Sequence, residues 1–159
     1  KGFDMNMSFY GTSGKQLYDG QGVYLETMQG EWNNKTTVLN RWKGPGTSNR
    51  LPRAVRGDTN QNNRGQSNYV LNADFLRMQN FQLGYTLPQS LIKRVGARNV
   101  RVYFNGQNLF TITKYPNYNA DTLGGVGFND DSMSPLGFGV DTGSTPIPSV
   151  YSFGVNLTF

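Results

Sequence analysis

From Tyr151 to Phe159 every second residue is apolar: Tyr151, Phe153, Val155, Leu157 and Phe159 alternate with Ser152, Gly154, Asn156 and Thr158 without a break. A period of two is the mark of a β-strand with one apolar and one polar face. The same alternation sets Phe3, Met5, Met7 and Phe9 against Asp4, Asn6 and Ser8. It returns with Phe81, Leu83, Tyr85 and Leu87 opposite Gln82, Gly84 and Thr86, until Pro88, which cannot donate to a ladder, ends the run. A further run carries Val100, Val102, Phe104, Phe110 and Ile112 on one parity, with Arg101, Tyr103, Asn105 and Gln107 on the other. The pattern predicts an all-β chain of about four antiparallel strands, over 1–11, 72–87, 98–113 and 149–159.

The connections 12–71 and 114–148 are long and rich in Gly, Asn, Ser, Thr and Pro, whereas 88–97 is short. That short piece reads as a plain connection, in which Leu91, Ile92 and Val95 offer at most one helical turn ended by Gly96. Long and short connections in alternation fit a transmembrane β-barrel, with extracellular loops at one rim and periplasmic turns at the other. The smallest membrane barrels have about eight strands, so four strands make only part of one. The chain also opens on Lys1-Gly2-Phe3, with no initiator Met and no secretory signal, as if cut from something longer. The expected lipid-facing residues include Phe81, Leu83, Tyr85, Tyr151, Phe153, Val155, Leu157 and Phe159, none of them charged. Tyr85, Tyr151 and Phe159 lie near strand ends and fit an interfacial aromatic girdle. The opposite face, with Asp4, Asn6, Gln82, Arg101, Asn105 and Asn156, suits a wet or plugged lumen.

Composition removes several function classes. With no Cys and no His, the chain has no disulfide, no thiolate nucleophile and no imidazole base, and it lacks the commonest transition-metal ligand. The net charge of +5 comes from scattered Lys and Arg and gives no nucleic-acid footprint. Mean hydropathy is −0.56, and no stretch approaches the roughly 18 apolar residues of a membrane helix. Asp58-Thr59-Asn60-Gln61-Asn62 looks like the start of a calcium loop, but Asn63 and Tyr69 stand where the loop needs Gly and Glu. Asn129-Asp130-Asp131-Ser132 brings two neighbouring carboxylates but no oxygen cage. No catalytic, cofactor or metal residue is expected; the candidate contacts for a ligand or partner are the loop aromatics Tyr24, Trp32, Trp42 and Tyr118.

Three stretches resemble the C-terminal region of SusC/RagA-type TonB-dependent outer-membrane transporters. Asp74 to Pro88 is similar to the family's FLRLKNITLGYTLP strand. Val100-Arg101-Val102-Tyr103 followed by Gly106 to Tyr115 resembles its LRVY…GQNLFTFTKY segment. Gly139-Val140-Asp141, Pro146-Ile147-Pro148 and Tyr151 to Phe159 resemble its chain ending. Asn117 to Asp121 departs from the family's usual loop, and Thr142 stands where an aromatic is common. The resemblance implies a 22-stranded barrel with an N-terminal plug outside this chain. It also implies an outer-membrane location in a Gram-negative, Bacteroidetes-like bacterium and a SusD-like surface lipoprotein partner. TonB-coupled import of oligosaccharides or peptides, and reading of the terminal strand by the barrel-assembly machinery, complete the expectation. The rival readings are a soluble β-sandwich that binds carbohydrate and a passive porin.

Overall fold

The structure is a computed structural model, described for residues 2–30, 33–62, 64–93, 96–123 and 138–159. In chain order the strands are β1 (Phe3–Thr12), β2 (Gln16–Asp19), β3 (Val70–Asn72), β4 (Phe75–Thr86), β5 (Asn99–Gln107), β6 (Thr111–Thr113), β7 (Val140–Asp141) and β8 (Val150–Thr158). Two short helices, α1 (Gly20–Leu25) and α2 (Gln89–Ile92), join them. The chain divides into two compact units.

The first unit comprises Lys1–Ser13, Asp74–Lys114 and Pro146–Phe159. Its sheet runs β1-β4-β5-β8, antiparallel throughout, and β6 also pairs with β4. The run expected as one strand over 98–113 is therefore two. β5 stops at Gln107, Asn108 turns with φ 51, and β6 resumes against β4 at Leu76↔Ile112. Asn tolerates that left-handed conformation, and the turn brings Leu109 back over Gly106. A β-carbon at Gly106 would lie 2.6 Å from Leu109 Cδ2.

A bulge explains why the alternation in β4 is legible only from Phe81. The register steps from Ser8↔Asn80 to Phe9↔Met78, so Gln79 is extra and the parity reverses before it. Phe75 and Arg77 are buried while Leu76 is exposed. The connector read as plain holds the helical turn α2, with Ile92 buried and Gly96 at φ 71. Burial of Ile92 favours the turn over an extended link; Val95 lies outside the described residues.

The second unit, Gly14–Ala73 and Tyr115–Thr145, is built from connections that the sequence shows only as irregular. It has its own sheet, β3-β2-β7, antiparallel between β2 and β3 and parallel between β2 and β7. Leu17, Met28, Leu51, Tyr69, Ala73, Tyr115 and Ala120 are its buried apolar residues. Asp19 caps α1, its Oδ1 accepting from the Gly22 amide at 2.8 Å.

Candidate functional site

The register of the first unit sorts side chains into rows. Phe3, Tyr85, Val102 and Val155 stand opposite one another across four strands, and Met5, Leu83, Phe104 and Phe153 form the next row on the same face. Met7, Phe81, Gly106 and Tyr151 form the third, where Leu109 covers the gap above Gly106. Val100 and Leu157 pair beside these rows, and Phe159 follows β8. The rows therefore bring Phe81, Leu83, Tyr85, Tyr151, Phe153, Val155 and Leu157 onto one uncharged face. Phe104 contacts Phe153, Phe81 and Tyr151 at ring separations of 5.1, 6.1 and 6.3 Å, and Phe3 meets Tyr85 at 4.5 Å. The face is open: Phe153 is 82% exposed, Phe3 and Phe159 each 73%. A soluble sandwich would bury such a face on a second sheet.

The other face is polar. Asn6, Gln82, Asn105 and Ser152 form one row; Asp4, Gly84, Tyr103 and Gly154 form another. The two glycines give large side chains room to lie flat. The Arg101 guanidinium crosses Gly84 to reach Asp4, with Nε to Oδ1 at 3.0 Å and a second bond to Oδ2 at 2.5 Å, and the Tyr103 ring covers Gly154. This fork ties β1 to β5 across β4.

The second unit holds a buried polar knot. Asp19 and Asp141 are adjacent in register on parallel strands, 5% and 1% exposed. Two carboxylates so close need donors to both. Asn117 Nδ2 supplies a bond to Asp19 Oδ1 at 2.9 Å and approaches Asp141 Oδ2 at 3.4 Å. Asp141 Oδ2 accepts from the Tyr115 hydroxyl at 2.6 Å, and its Oδ1 from the Gly143 and Ser144 amides and the Ser144 hydroxyl. Lys35 Nζ stands 3.6 Å from Asp19 Oδ2. Burial works to raise the Asp141 pKa, yet the bonds from Tyr115, Ser144 and the Gly143 amide together hold it below the usual carboxylate value. Burial and the bond to Asp141 push the Tyr115 phenol up. Burial, with the negative charge of Glu26, raises Tyr69 to about 12. Three of the four carboxylate oxygens accept hydrogen bonds from the protein and the fourth faces the Lys35 ammonium, so the chemistry of the knot is structural.

Of the loop aromatics, Trp42 lines an open groove of about 1040 Å³ in the second unit, with Arg50, Arg53 and Arg64. Tyr24 and Tyr118 are exposed and do not line it. Trp32 and Asn129 to Ser132 lie outside the described residues. In the stretch that looked like a calcium loop, Asp58 Oδ1 accepts from the Asn62 amide at 2.6 Å, so the carboxylate closes a local turn. Sequence reasoning missed the Asp19–Asn117–Asp141 knot and the roles of Gly84 and Gly154. Their signal was faint: a glycine in each of two strands where a side chain belongs to the pattern.

A sheet with one uncharged open face and one polar face is the wall of a transmembrane β-barrel. No family model matches the chain. TonB-dependent receptor P3 of Formosa agariphila is 33% identical over 160 aligned positions, which cover 100% of this chain and 15% of that protein. TonB-dependent receptor P26 of the same organism is 26% identical over 159, covering 100% and 16%. Solved structures of the RagAB peptide importer in its open-open and closed-closed states match all of the chain with TM-scores of 0.76 and 0.77 at 25% identity, over 16% of the solved chain. Over its whole length the chain is similar to TonB-dependent receptors, with the RagAB importer among its structural neighbours, and it has the fold of their C-terminal barrel region. It spans less than a fifth of the length of these relatives, which are named as receptors and importers rather than enzymes.

Proposed function

We propose that the chain forms part of a TonB-dependent outer-membrane importer of oligosaccharides or peptides in a Gram-negative bacterium. The observation that carries the reading is the whole-chain match to an importer in both open and closed states, joined to an apolar face that runs in register across four strands. In this reading Phe81, Leu83, Tyr85, Tyr151, Phe153, Val155, Leu157 and Phe159 face outer-membrane lipid. Tyr85, Tyr151 and Phe159 sit at the interfaces, the turn at 88–97 is periplasmic, and 12–71 and 114–148 are extracellular. A SusD-like lipoprotein lids the barrel, a plug outside this chain couples to TonB, and β8 is the strand offered to the barrel-assembly machinery. Exposed Tyr24, Tyr118 and Trp42, together with Trp32, are the loop contacts assigned to ligand or lid. The test is uptake of labelled oligosaccharide and peptide pools by cells carrying the parent receptor, with and without TonB. Uptake that needs TonB supports the importer; uptake that persists without TonB makes the protein a passive porin.

A further inference from the structure

The groove beside Trp42 is the least explained feature of the second unit. Among the described residues it is lined by three guanidiniums, Arg50, Arg53 and Arg64, by several Asn and Gln amides, and by no carboxylate. Glu26, 4% exposed, stands behind Arg50, its Oε2 3.9 Å from the guanidinium and without a hydrogen bond. That compensates one positive charge and leaves Arg53 and Arg64 facing the groove. Among the described residues Arg53 makes no ion pair, and Arg64 bonds only the neutral Gln61 side chain. The rim is braced before any ligand arrives: Asp58 holds the Asn62 amide, Asn60 Nδ2 donates to Asn62 Oδ1 at 3.1 Å, and Gln66 donates to the Asn62 carbonyl. Donors fixed in advance reduce the ordering cost of binding.

The volume of about 1040 Å³ exceeds a single small ligand and has room for several sugar rings. An indole face with amides around it matches a sugar ring and its hydroxyls, and planar guanidiniums match carboxylate or sulfate. An extended peptide bound through its backbone needs a free strand edge, and the lining segment 48–68 contains no strand among its described residues. We propose that this groove binds an acidic oligosaccharide, with its carboxylate or sulfate groups on Arg53 and Arg64 and one ring against Trp42. The proposal rests on the importer reading for its biological setting, though the binding itself is measured separately from transport.

The test is titration calorimetry on the purified full-length parent receptor with oligogalacturonate, a sulfated oligosaccharide, neutral malto-oligosaccharide and poly-glutamate. The expected result is binding of the acidic sugars above the neutral one, weakened by salt. Arg53→Gln and Arg64→Gln should each lose about ten-fold in affinity, as expected for a charge-assisted pair. Arg53→Lys should recover part of the loss, and Trp42→Ala should weaken every sugar. Circular dichroism of each variant verifies the fold, so that lost binding reads as lost contact. Unchanged affinity in both glutamine variants, equal binding of the neutral sugar, or no acidic-sugar binding by the wild type overturns the proposal. Tighter binding of poly-glutamate overturns it in favour of an acidic peptide. TonB-dependent uptake of some other substrate alongside absent acidic-sugar binding removes this inference alone, whereas acidic-sugar binding without TonB-dependent uptake removes the importer reading alone.

Discussion

Asp141 shows how much of the second unit depends on single polar contacts. Its carboxylate collects the Tyr115 hydroxyl, the Ser144 hydroxyl and two amides, and it lies next to the Asp19 carboxylate. Tyr115→Phe removes the shortest of these bonds and, among the described residues, leaves Oδ2 with only the longer approach of Asn117, so it should destabilise the unit by about 1–3 kcal/mol. Limited proteolysis of the parent receptor, with cleavage rising within 14–73 and 115–145, checks this; unchanged resistance would refute the structural role. The same groups set the pH response. The Asp141 pKa is lowered on folding, so its stabilisation is present above the ordinary value of 3.8 and is lost as pH falls through the lowered one. Tyr69 is raised, so its contribution is complete below 10.0 and is lost as pH climbs towards about 12. Protease resistance measured across pH should therefore fall at both extremes, and Tyr69→Phe should remove part of the alkaline loss. None of this was legible in the sequence. Strands of two to four residues, such as β7 and β2, show no period, and Asp19, Asn117 and Asp141 are far apart in the chain.

At the scale of elements, the strands that alternate over many residues were readable because each side chain's parity decides its face. β8 is the plainest, and its partner rows follow from register alone. Where a local event intervened the pattern misled. The Gln79 bulge reverses parity in β4, and Asn108 with Leu109 cuts β5 from β6 although Phe110 and Ile112 continue the apolar parity. Two substitutions in β8 separate the faces. Val155→Arg puts a cation midway along β8 on the uncharged face and should cost about 2–4 kcal/mol of barrel stability, whereas Asn156→Arg on the polar face should cost far less. Urea unfolding of the parent receptor in lipid vesicles measures both, and equal losses would refute the two-faced wall. Gly154→Val tests the polar face in another way. Its branched side chain would overlap the Tyr103 ring, so it should lower the yield of assembled receptor, and Tyr103→Ala should restore part of it.

At the scale of the whole chain, the sheet has two ends and a bare face. β1 and β8 terminate the order β1-β4-β5-β8, so within the described residues each is paired on one side only. In hydrocarbon an unpaired edge costs several kcal/mol per backbone group, and in water an open apolar face with bare edges aggregates. Either environment demands further strands beside β1 and β8, which agrees with relatives of which this chain matches only 15% and 16%. The segment 1–159 expressed alone should therefore be insoluble without detergent, and should give a folded barrel signature only when it is part of its parent chain. Sedimentation of the segment in detergent-free buffer, with circular dichroism of whatever remains in solution, decides the point. A soluble, strand-rich 17.7 kDa monomer would mean that the face carrying Phe153 and Val155 is covered from within the chain, and the barrel wall would have to be given up. Aggregation of the segment, together with native folding in the parent, would locate the missing stabilisation at the two edges and the open apolar face.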